Sequence, residues 1–287
     1  MAHTVGIVGG SGLYALDGLQ DVTEERIETP FGRPSDAIVR GTLGGVNLAF
    51  VPRHGRGHRL TPSEVPYRAN VWALKSLGCD WLISVSAVGS LREEIVPGQA
   101  VIVDQYIDKT RVRAETFFGD GVVAHAGFGE PTCAALRGYL RDACAAVGVV
   151  AHEGGTYVCM EGPAFSTRAE SELHRSWGAS VIGMTAMPEA KLAREASMSY
   201  ATLAFATDYD CWHPHHDAVT VDQVIGVLTA NVDRARRILR DAVARIGAHA
   251  GPAPMADAMR TAIMTPREGI DQAARQRLAP ILGPYLG

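Results

Sequence analysis

Tyr200-Ala-Thr-Leu-Ala-Phe-Ala-Thr207 is followed directly by Asp208-Tyr-Asp-Cys-Trp212, and this change from apolar to acidic residues marks the end of a buried strand. Carboxylates two residues apart at a strand end project to the same side of the pleat, so we expect Asp208 and Asp210 to lie together. In open α/β sheets, ligands bind at the carboxyl ends of strands. Buried carboxylates are costly unless a ligand or partner hydrogen-bonds them, so the pair indicates a ligand site. A solvated loop or helix N-caps are the structural alternatives.

The composition of the 287-residue chain excludes several classes of partner. The net charge is −4, and no basic stripe recurs at helical spacing, so we expect no nucleic-acid partner. No apolar run reaches the length of a membrane span, and the chain enters a strand at once without a signal peptide, so we expect no membrane partner. The five cysteines form no C-x-x-C pair. They predict reduced thiols and a cytoplasmic protein.

Strand and helix patterns alternate along the chain, without a linker, a repeat or a low-complexity tract. This alternation predicts an α/β fold: a single domain, residues 1–250, with a central mixed, twisted sheet and helices on both faces. The predicted strands are 4–8, 36–43, 46–52, 80–86, 99–104, 155–160, 180–184 and 200–207. The predicted helices are 67–77, 131–147, 167–177, 188–197 and 221–246. We expect the C-terminal tail, residues 251–287, to be helical from about 268 to 282 and to pack on the same domain.

A glycine-rich turn, Gly9-Gly-Ser-Gly12, follows the first strand. Its backbone N–H groups could form an anion nest, to which the Ser11 hydroxyl adds a donor. A plain tight turn is an equally simple interpretation. Gly10 to Ala15 also matches the loose dinucleotide fingerprint, but that motif must open a helix of three turns and Gly18 leaves no room for one.

A basic stretch, Pro52-Arg-His-Gly-Arg-Gly-His58, follows another apolar strand. The Arg53 guanidinium offers a planar fork for phosphate, and His54 can donate a further hydrogen bond. Two more strand ends carry hydroxyl groups, Ser86 and Thr185. Each feature alone could be a solvated loop or ordinary capping, but together these strand ends could converge on one anion.

A histidine-rich stretch gives a competing hypothesis, a metal site. His213, His215 and His216 lie beside Asp208, Asp210 and Asp217, and imidazoles with carboxylates can hold zinc or iron. These residues lack helical i, i+4 spacing, and Pro214 makes the local backbone irregular. We therefore predict no metal.

Six motifs together resemble those of the trimeric purine nucleoside phosphorylases, in the same order along the chain. They are Gly9-Gly-Ser-Gly-Leu-Tyr14, Pro52-Arg-His-Gly55, Gly89-Ser-Leu-Arg-Glu-Glu-Ile95, Glu161-Gly-Pro-Ala-Phe-Ser166, Met184-Thr185 and Ala206-Thr-Asp-Tyr-Asp-Cys-Trp212. The last motif is similar to that of the members that act on S-methyl-5′-thioadenosine. The resemblance covers about Val5 to Arg236 and leaves the tail after Gly251 unexplained.

This resemblance implies the nucleoside phosphorylase fold, a homotrimer and a phosphorolysis. Phosphate would attack C1′ of S-methyl-5′-thioadenosine, and adenine would leave, giving 5-methylthioribose 1-phosphate in methionine and purine salvage. The transition state would be oxocarbenium-like, as in other glycosidic cleavages. Inorganic phosphate is itself the nucleophile and co-substrate, so no cofactor is implied.

The resemblance also implies a role for individual residues. The phosphate site would consist of Ser11, Arg53, His54, Ser86, the Ala87 backbone N–H and Thr185. Met184 would contact the ribose, Phe165 would stack on the base and Ser166 would bond the base edge. His58, Val221, Val224 and Ile225 would surround the 5′-methylthio group, with His125 arriving from a neighbouring subunit. Asp208, Asp210 and His54 would be catalytic, Asp208 as the protonated acid at N7. Ser11 and Ser86 stand where relatives often have threonine, and both keep the hydroxyl.

The carboxylates at 208 and 210 favour a 6-aminopurine, because they accept hydrogen bonds from its amino group. An asparagine at 208 would instead suit a 6-oxopurine, which presents an acceptor there. Three other functions remain as alternatives: a nicotinamide oxidoreductase, a nucleoside- or phosphate-binding module without turnover, and a hydrolase that uses water. The predicted anion site argues against the hydrolase, since a water nucleophile needs no such site.

Overall fold

The computed structural model describes residues 3–10, 12–214 and 221–286, and for 221–230 only the course of the backbone. The strands are β1 (Thr4–Gly9), β2 (Gln20–Glu25), β3 (Ile38–Leu43), β4 (Val46–Pro52), β5 (Trp81–Ser90), β6 (Ala100–Val103), β7 (Gln105–Asp108), β8 (Ala151–Glu153), β9 (Thr156–Cys159), β10 (Val181–Gly183) and β11 (Ser199–Asp208). The helices are α1 (Tyr67–Ser76), α2 (Ala134–Ala146), α3 (Arg168–Ser176), α4 (Ala186–Glu195), α5 (Val221–Gly247), α6 (Gln272–Arg277) and α7 (Ala279–Leu286).

The strands form one mixed sheet in the order β2-β3-β4-β1-β5-β10-β9-β7, while β11 pairs with β5 and β6, and β6 with β8. Strand β5 is the junction: its first half pairs parallel to β1, its far end pairs antiparallel to β10, and β11 runs parallel to it along most of its length. The parallel strands β1, β4, β5 and β11 therefore end at the same edge of the sheet. The predicted α/β fold with a mixed central sheet is confirmed.

Helices cover both faces of the sheet, because each presents one apolar stripe to it. On one face lies a cluster that includes Leu74 of α1, Leu192 of α4 and Leu282 of α7. On the other lies a cluster that includes Leu136 of α2 and Ile238 of α5. None of the helices in the described part of the chain combines the length and apolar character that a membrane span requires.

Several elements differ from the sequence prediction. Strands β2, β7 and β8 were not predicted, because none is a buried apolar run: β2 reads Gln-Asp-Val-Thr-Glu-Glu, and almost all of it is exposed at the sheet edge. Strand β5 continues to Ser90 rather than ending at 86.

The tail does not form one helix over 268–282 but a 3-10 turn followed by α6 and α7. The Asp271 side chain accepts a hydrogen bond from the Ala274 N–H and so starts α6. Hydrogen bonds that fix the tail to the rest of the chain include Trp72 Nε1 donating to the Arg277 carbonyl at 2.9 Å and the pairing of the Tyr285 and Ser197 hydroxyls at 2.7 Å.

Candidate active site

A cavity of about 760 Å³ opens at the carboxyl ends of β1, β4, β5 and β11. Most of the residues that the sequence analysis proposed line it: Arg53, His54, His58, Ser86, Ala87, Phe165, Met184, Thr185, Asp208 and Asp210. Ser11 lies outside the described residues, as do the side chains of Val221, Val224 and Ile225. The neighbours of Ser11, Gly10 and Gly12, line the cavity.

The two aspartates lie together at the end of β11, but not because the pleat continues. Asp208 is the last residue of the strand, and Asp210 has φ of +52°, so a turn places the second carboxylate. The Asp210 N–H donates to Asp208 Oδ1 at 2.7 Å, and the Thr207 hydroxyl donates to Asp208 Oδ2 at 2.6 Å. Gly89 provides the space, since a Cβ there would lie 2.9 Å from Asp208 Oδ1.

The two carboxyl groups differ in what they can do. Burial raises the pKa of Asp208, and the hydrogen bonds from Thr207 and the Asp210 N–H oppose this shift without cancelling it. Asp208 is therefore easier to protonate than an ordinary aspartate. Asp210 is only 5% exposed, and among the described residues its Oδ2 has no hydrogen-bond partner. A buried acceptor without a partner is costly, so Oδ2 is suited to accept from a ligand.

Arg53 is buried, and protein groups already accept hydrogen bonds from most of its guanidinium. Nε donates to Glu189 Oε2 at 2.9 Å and Nη2 donates to Oε1 at 3.3 Å, while Nη1 donates to the Val85 carbonyl at 3.0 Å. Nη2 also donates to Ser84 Oγ at 2.8 Å. Burial works against the charge, yet the Glu189 carboxylate outweighs it and keeps the pKa of Arg53 above its usual range. Among the described residues, four of the five N–H donors of the guanidinium have a partner, and the second hydrogen on Nη1 remains for a ligand.

His54 can offer a ligand a hydrogen-bond acceptor, its Nε2 atom, rather than the donor that the sequence suggested. Its Nδ1 lies 2.9 Å from the Leu60 carbonyl, which can only accept, so Nδ1 carries the proton. Burial, and secondarily the Arg53 charge, lowers the pKa of His54 to about 4. The ring is neutral near pH 7, and its Nε2 then offers a lone pair. The ring stacks on His58 with centroids 4.2 Å apart.

The hydroxyl groups meet from two walls of the cavity. Ser86 Oγ on β5 lies 3.4 Å from Thr185 Oγ1, which directly precedes α4. Because Arg53 bonds the carbonyl of Val85, the residue before Ser86, these groups form one polar end of the cavity. The aspartates, with Phe165, Met160 and Pro163, line another part of the same cavity.

Two proposed residues do not line the cavity in the part of the chain that the structure describes. Ser166 Oγ is 3.8 Å from Met160 Sδ, and its carbonyl accepts from Cys211 Sγ at 3.3 Å, so its role at the base edge stays a prediction. His125 is exposed, and its N–H donates to the Ala262 carbonyl at 2.8 Å. Its contribution to a neighbouring subunit also stays a prediction.

The competing metal cluster is not assembled by the described residues. They contain no group of three or more His, Cys, Asp or Glu that could hold a metal ion. His213 Nε2 pairs with Glu93 Oε1 at 3.2 Å, and His215, His216 and Asp217 lie outside the described residues.

Several residues of the cavity wall were not predicted from the sequence to be site residues. Thr207 and Gly89 shape the carboxyl pair, and Asn231 and Ala235 extend the wall from α5. Asn231 is 3% exposed, and its Nδ2 has no partner among the described residues. One signal was available: Asn231 is a polar residue on the helical stripe of Val227, Ala235 and Leu239.

Comparisons with known proteins agree with this geometry. Residues 4–244 match the model of the phosphorylase superfamily. A curated S-methyl-5′-thioadenosine phosphorylase of Geobacter sulfurreducens is 56% identical over 287 residues, 100% of both chains. The crystal structure of a methylthioadenosine phosphorylase from an antarctic soil metagenomic library is 50% identical, with TM-score 0.93 over 98% of this chain and 99% of that one. The Schistosoma mansoni methylthioadenosine phosphorylase in complex with adenine is 41% identical, with TM-score 0.83 over 86% and 93%. The similarity to the bacterial relative includes the tail, which the sequence motifs had left unexplained.

Proposed function

The chain belongs to the phosphorylase superfamily, among its S-methyl-5′-thioadenosine phosphorylases, and we propose that it cleaves S-methyl-5′-thioadenosine with inorganic phosphate. The products are adenine and 5-methylthioribose 1-phosphate. A phosphate oxygen attacks C1′ as the bond from C1′ to N9 breaks, and the electron pair of that bond moves into the purine.

The observation that carries this proposal is the presence, in one cavity, of a buried carboxyl pair and a polar end of hydroxyl groups. Asp208 has a raised pKa, and Asp210 offers a buried oxygen without a partner among the described residues. Ser86 and Thr185 line the polar end of the cavity, where an anion can accept their hydrogen bonds. Catalysis then consists of positioning the two substrates and stabilising charge as it develops.

The carboxyl pair acts on the base. The Asp208 carboxyl donates its proton to N7 as negative charge builds up on the departing purine, and adenine leaves neutral. The Asp210 Oδ2 accepts from the 6-amino group. A 6-oxopurine would place an acceptor against these oxygens, so the pair favours adenine over hypoxanthine.

The polar end binds phosphate. The Ser86 and Thr185 hydroxyls and the free Nη1 hydrogen of Arg53 donate to its oxygens, together with the Ala87 N–H and the Ser11 turn. Neutral His54 accepts at Nε2 from a protonated phosphate oxygen or a sugar hydroxyl. Phosphate is the nucleophile, so the proposal needs no cofactor or metal.

The remaining parts of the proposal concern the sugar and the assembly. Met184 contacts the ribose, Phe165 stacks on the base, with Ser166 at its edge, and His58 lines the 5′ end with Val221, Val224 and Ile225. Phe165 is 44% exposed, which is consistent with a wall that another subunit completes. We propose a cytoplasmic homotrimer in which His125 of a neighbouring subunit closes the site.

The test is the release of free adenine from S-methyl-5′-thioadenosine with and without inorganic phosphate, with adenosine and inosine in parallel. We expect phosphate-dependent release that is fastest for S-methyl-5′-thioadenosine. Release without phosphate would identify a hydrolase, and the absence of release from any nucleoside would leave a binding protein.

A further inference from the structure

Arg113 is a buried cation next to the cavity that lies in none of the sequence motifs. Its side chain is 1% exposed, and it does not line the cavity among the residues described. Nε donates to Glu161 Oε1 at 3.0 Å and Nη2 donates to the Glu161 carbonyl at 2.7 Å. Glu161 begins the segment that leads to Pro163 and Phe165 on the base side of the cavity.

The same guanidinium holds the sugar and phosphate side. Nη1 donates to the carbonyls of Met184 and Met187, both at 2.6 Å. These two carbonyls flank Thr185, whose hydroxyl belongs to the polar end of the cavity. A rotation of Arg113 would therefore displace the Met184–Thr185 segment and the Glu161 segment together.

Glu161 extends these contacts to a third wall. Its Oε1 accepts from the Ser63 hydroxyl, and its Oε2 accepts from the Arg111 N–H. Ser63 follows Thr61 and Pro62, which line the cavity. Burial raises the pKa of Glu161, but hydrogen bonds from Ser63, the Arg111 N–H and Arg113 outweigh it and lower the pKa below its usual range. The carboxylate is therefore charged.

We propose that Arg113 and Glu161 are a positioning pair that holds three cavity walls in register without touching substrate: the base side at 163–165, the sugar and phosphate side at 184–185, and the loop at 61–62. This inference rests on the proposed phosphorolysis. The pair sets the distance between the phosphate oxygen and C1′, a distance on which the rate depends steeply.

The test uses Arg113→Lys, which keeps the charge but loses the planar fork that reaches three carbonyls and a carboxylate at once. We expect kcat/KM for S-methyl-5′-thioadenosine to fall by about 100-fold, because misplacement by about 1 Å has that cost. The KM values for phosphate and for nucleoside should rise together, since one side chain fixes both walls. The matched control is Arg141→Lys, because Arg141 is half exposed and pairs with Glu153 on the surface; neither KM should change.

A purely structural role predicts a different result. It would lower the amount of folded enzyme, measured by circular dichroism and urea unfolding, and leave both KM values of the folded fraction unchanged. That result, or a change in only one of the two KM values, would overturn the proposal.

Two further variants keep the test decisive if Arg113→Lys does not fold. Glu161→Gln keeps the shape and removes the charge, and the same joint rise in KM is expected. Ser63→Ala removes only the contact between the 61–62 loop and Glu161, and it should raise the KM for nucleoside but not for phosphate; unchanged KM values in Ser63→Ala would count against the pair. The native chain is assayed beside these variants. If the native chain shows no phosphorolysis, the proposed function is refuted, whereas a native chain that is active with variants that behave normally refutes only this inference.

Discussion

Replacing Asp208 by asparagine tests the assignment of the base-binding carboxyl most directly. The neighbouring groups can accommodate an amide. The Asp210 N–H, now 2.7 Å from Oδ1, can still donate to the amide oxygen. The Thr207 hydroxyl can turn to the Val88 carbonyl, 3.3 Å away, and accept from the new NH2 group. We therefore expect Asp208→Asn to fold as the native chain does.

The expected loss of rate in Asp208→Asn follows from the proton that an amide cannot donate. An amide does not protonate N7, and general acid catalysis by a positioned group contributes about 10²–10⁴-fold to the rate. The barrier for S-methyl-5′-thioadenosine should therefore rise by about 3 to 5 kcal/mol. With inosine, the amide NH2 can donate to O6, so the loss is offset. The ratio of kcat/KM for the two nucleosides should shift by about 10³-fold towards inosine.

The assay is steady-state phosphorolysis of both nucleosides at saturating phosphate, over a range of pH. Because burial raises the pKa of Asp208 and the protonated form is the donor, native activity should fall as pH rises through that pKa. Asp208→Asn should lose this limb of the profile. Asp257→Asn, an exposed aspartate paired with Arg260, is the matched control. An unchanged preference between the nucleosides in Asp208→Asn would refute the reasoning.

Three further predictions concern stability. Glu189→Gln should lower the free energy of unfolding by about 3–5 kcal/mol in urea, because it leaves the buried Arg53 charge uncompensated; a loss below 1 kcal/mol would contradict this. The pKa of His54 is about 4 in the folded chain and 6.5 in the unfolded chain, so the free energy of unfolding should fall by about 3 kcal/mol as pH falls from about 6.5 to 4. His54→Gln should flatten this part of the plot of unfolding free energy against pH. Thr167→Ala removes a capping box with Glu170 and should lower the unfolding free energy by about 1 kcal/mol with kcat unchanged, whereas altered kcat would show that α3 shapes the site.

The fold could be predicted because most strands are apolar runs that end in glycine or polar residues. The run from Tyr200 to Thr207 is such a case, and its strand extends one residue further at each end. Strand β2 could not be found in this way. It is polar and exposed at the sheet edge, so its conformation depends on pairing with β3, which a local pattern does not contain.

The side chains of the site also divide into those that a local pattern predicts and those that depend on distant partners. The strand-end motifs identified Arg53 and His54, and both line the cavity. Their partners were not predictable: Arg53 binds Glu189, 136 residues away, and the Nδ1–H of His54 is bound by the Leu60 carbonyl. Arg113 was missed for the same reason, since Glu161 is 48 residues away and no local spacing connects them. Residue type indicates what a group can bond, whereas the fold selects the partner.

The junction at β5 also has a consequence for how the enzyme regains activity after denaturation. Ser86, Ala87 and Gly89 acquire their positions only when β5 has paired with β11, a strand more than a hundred residues away in sequence. Such long-range pairing costs loop-closure entropy and is slow compared with helix formation. A refolding chain will therefore recover much of its helical signal before it turns over substrate. Returning activity thus reports the pairing of β5 with β11.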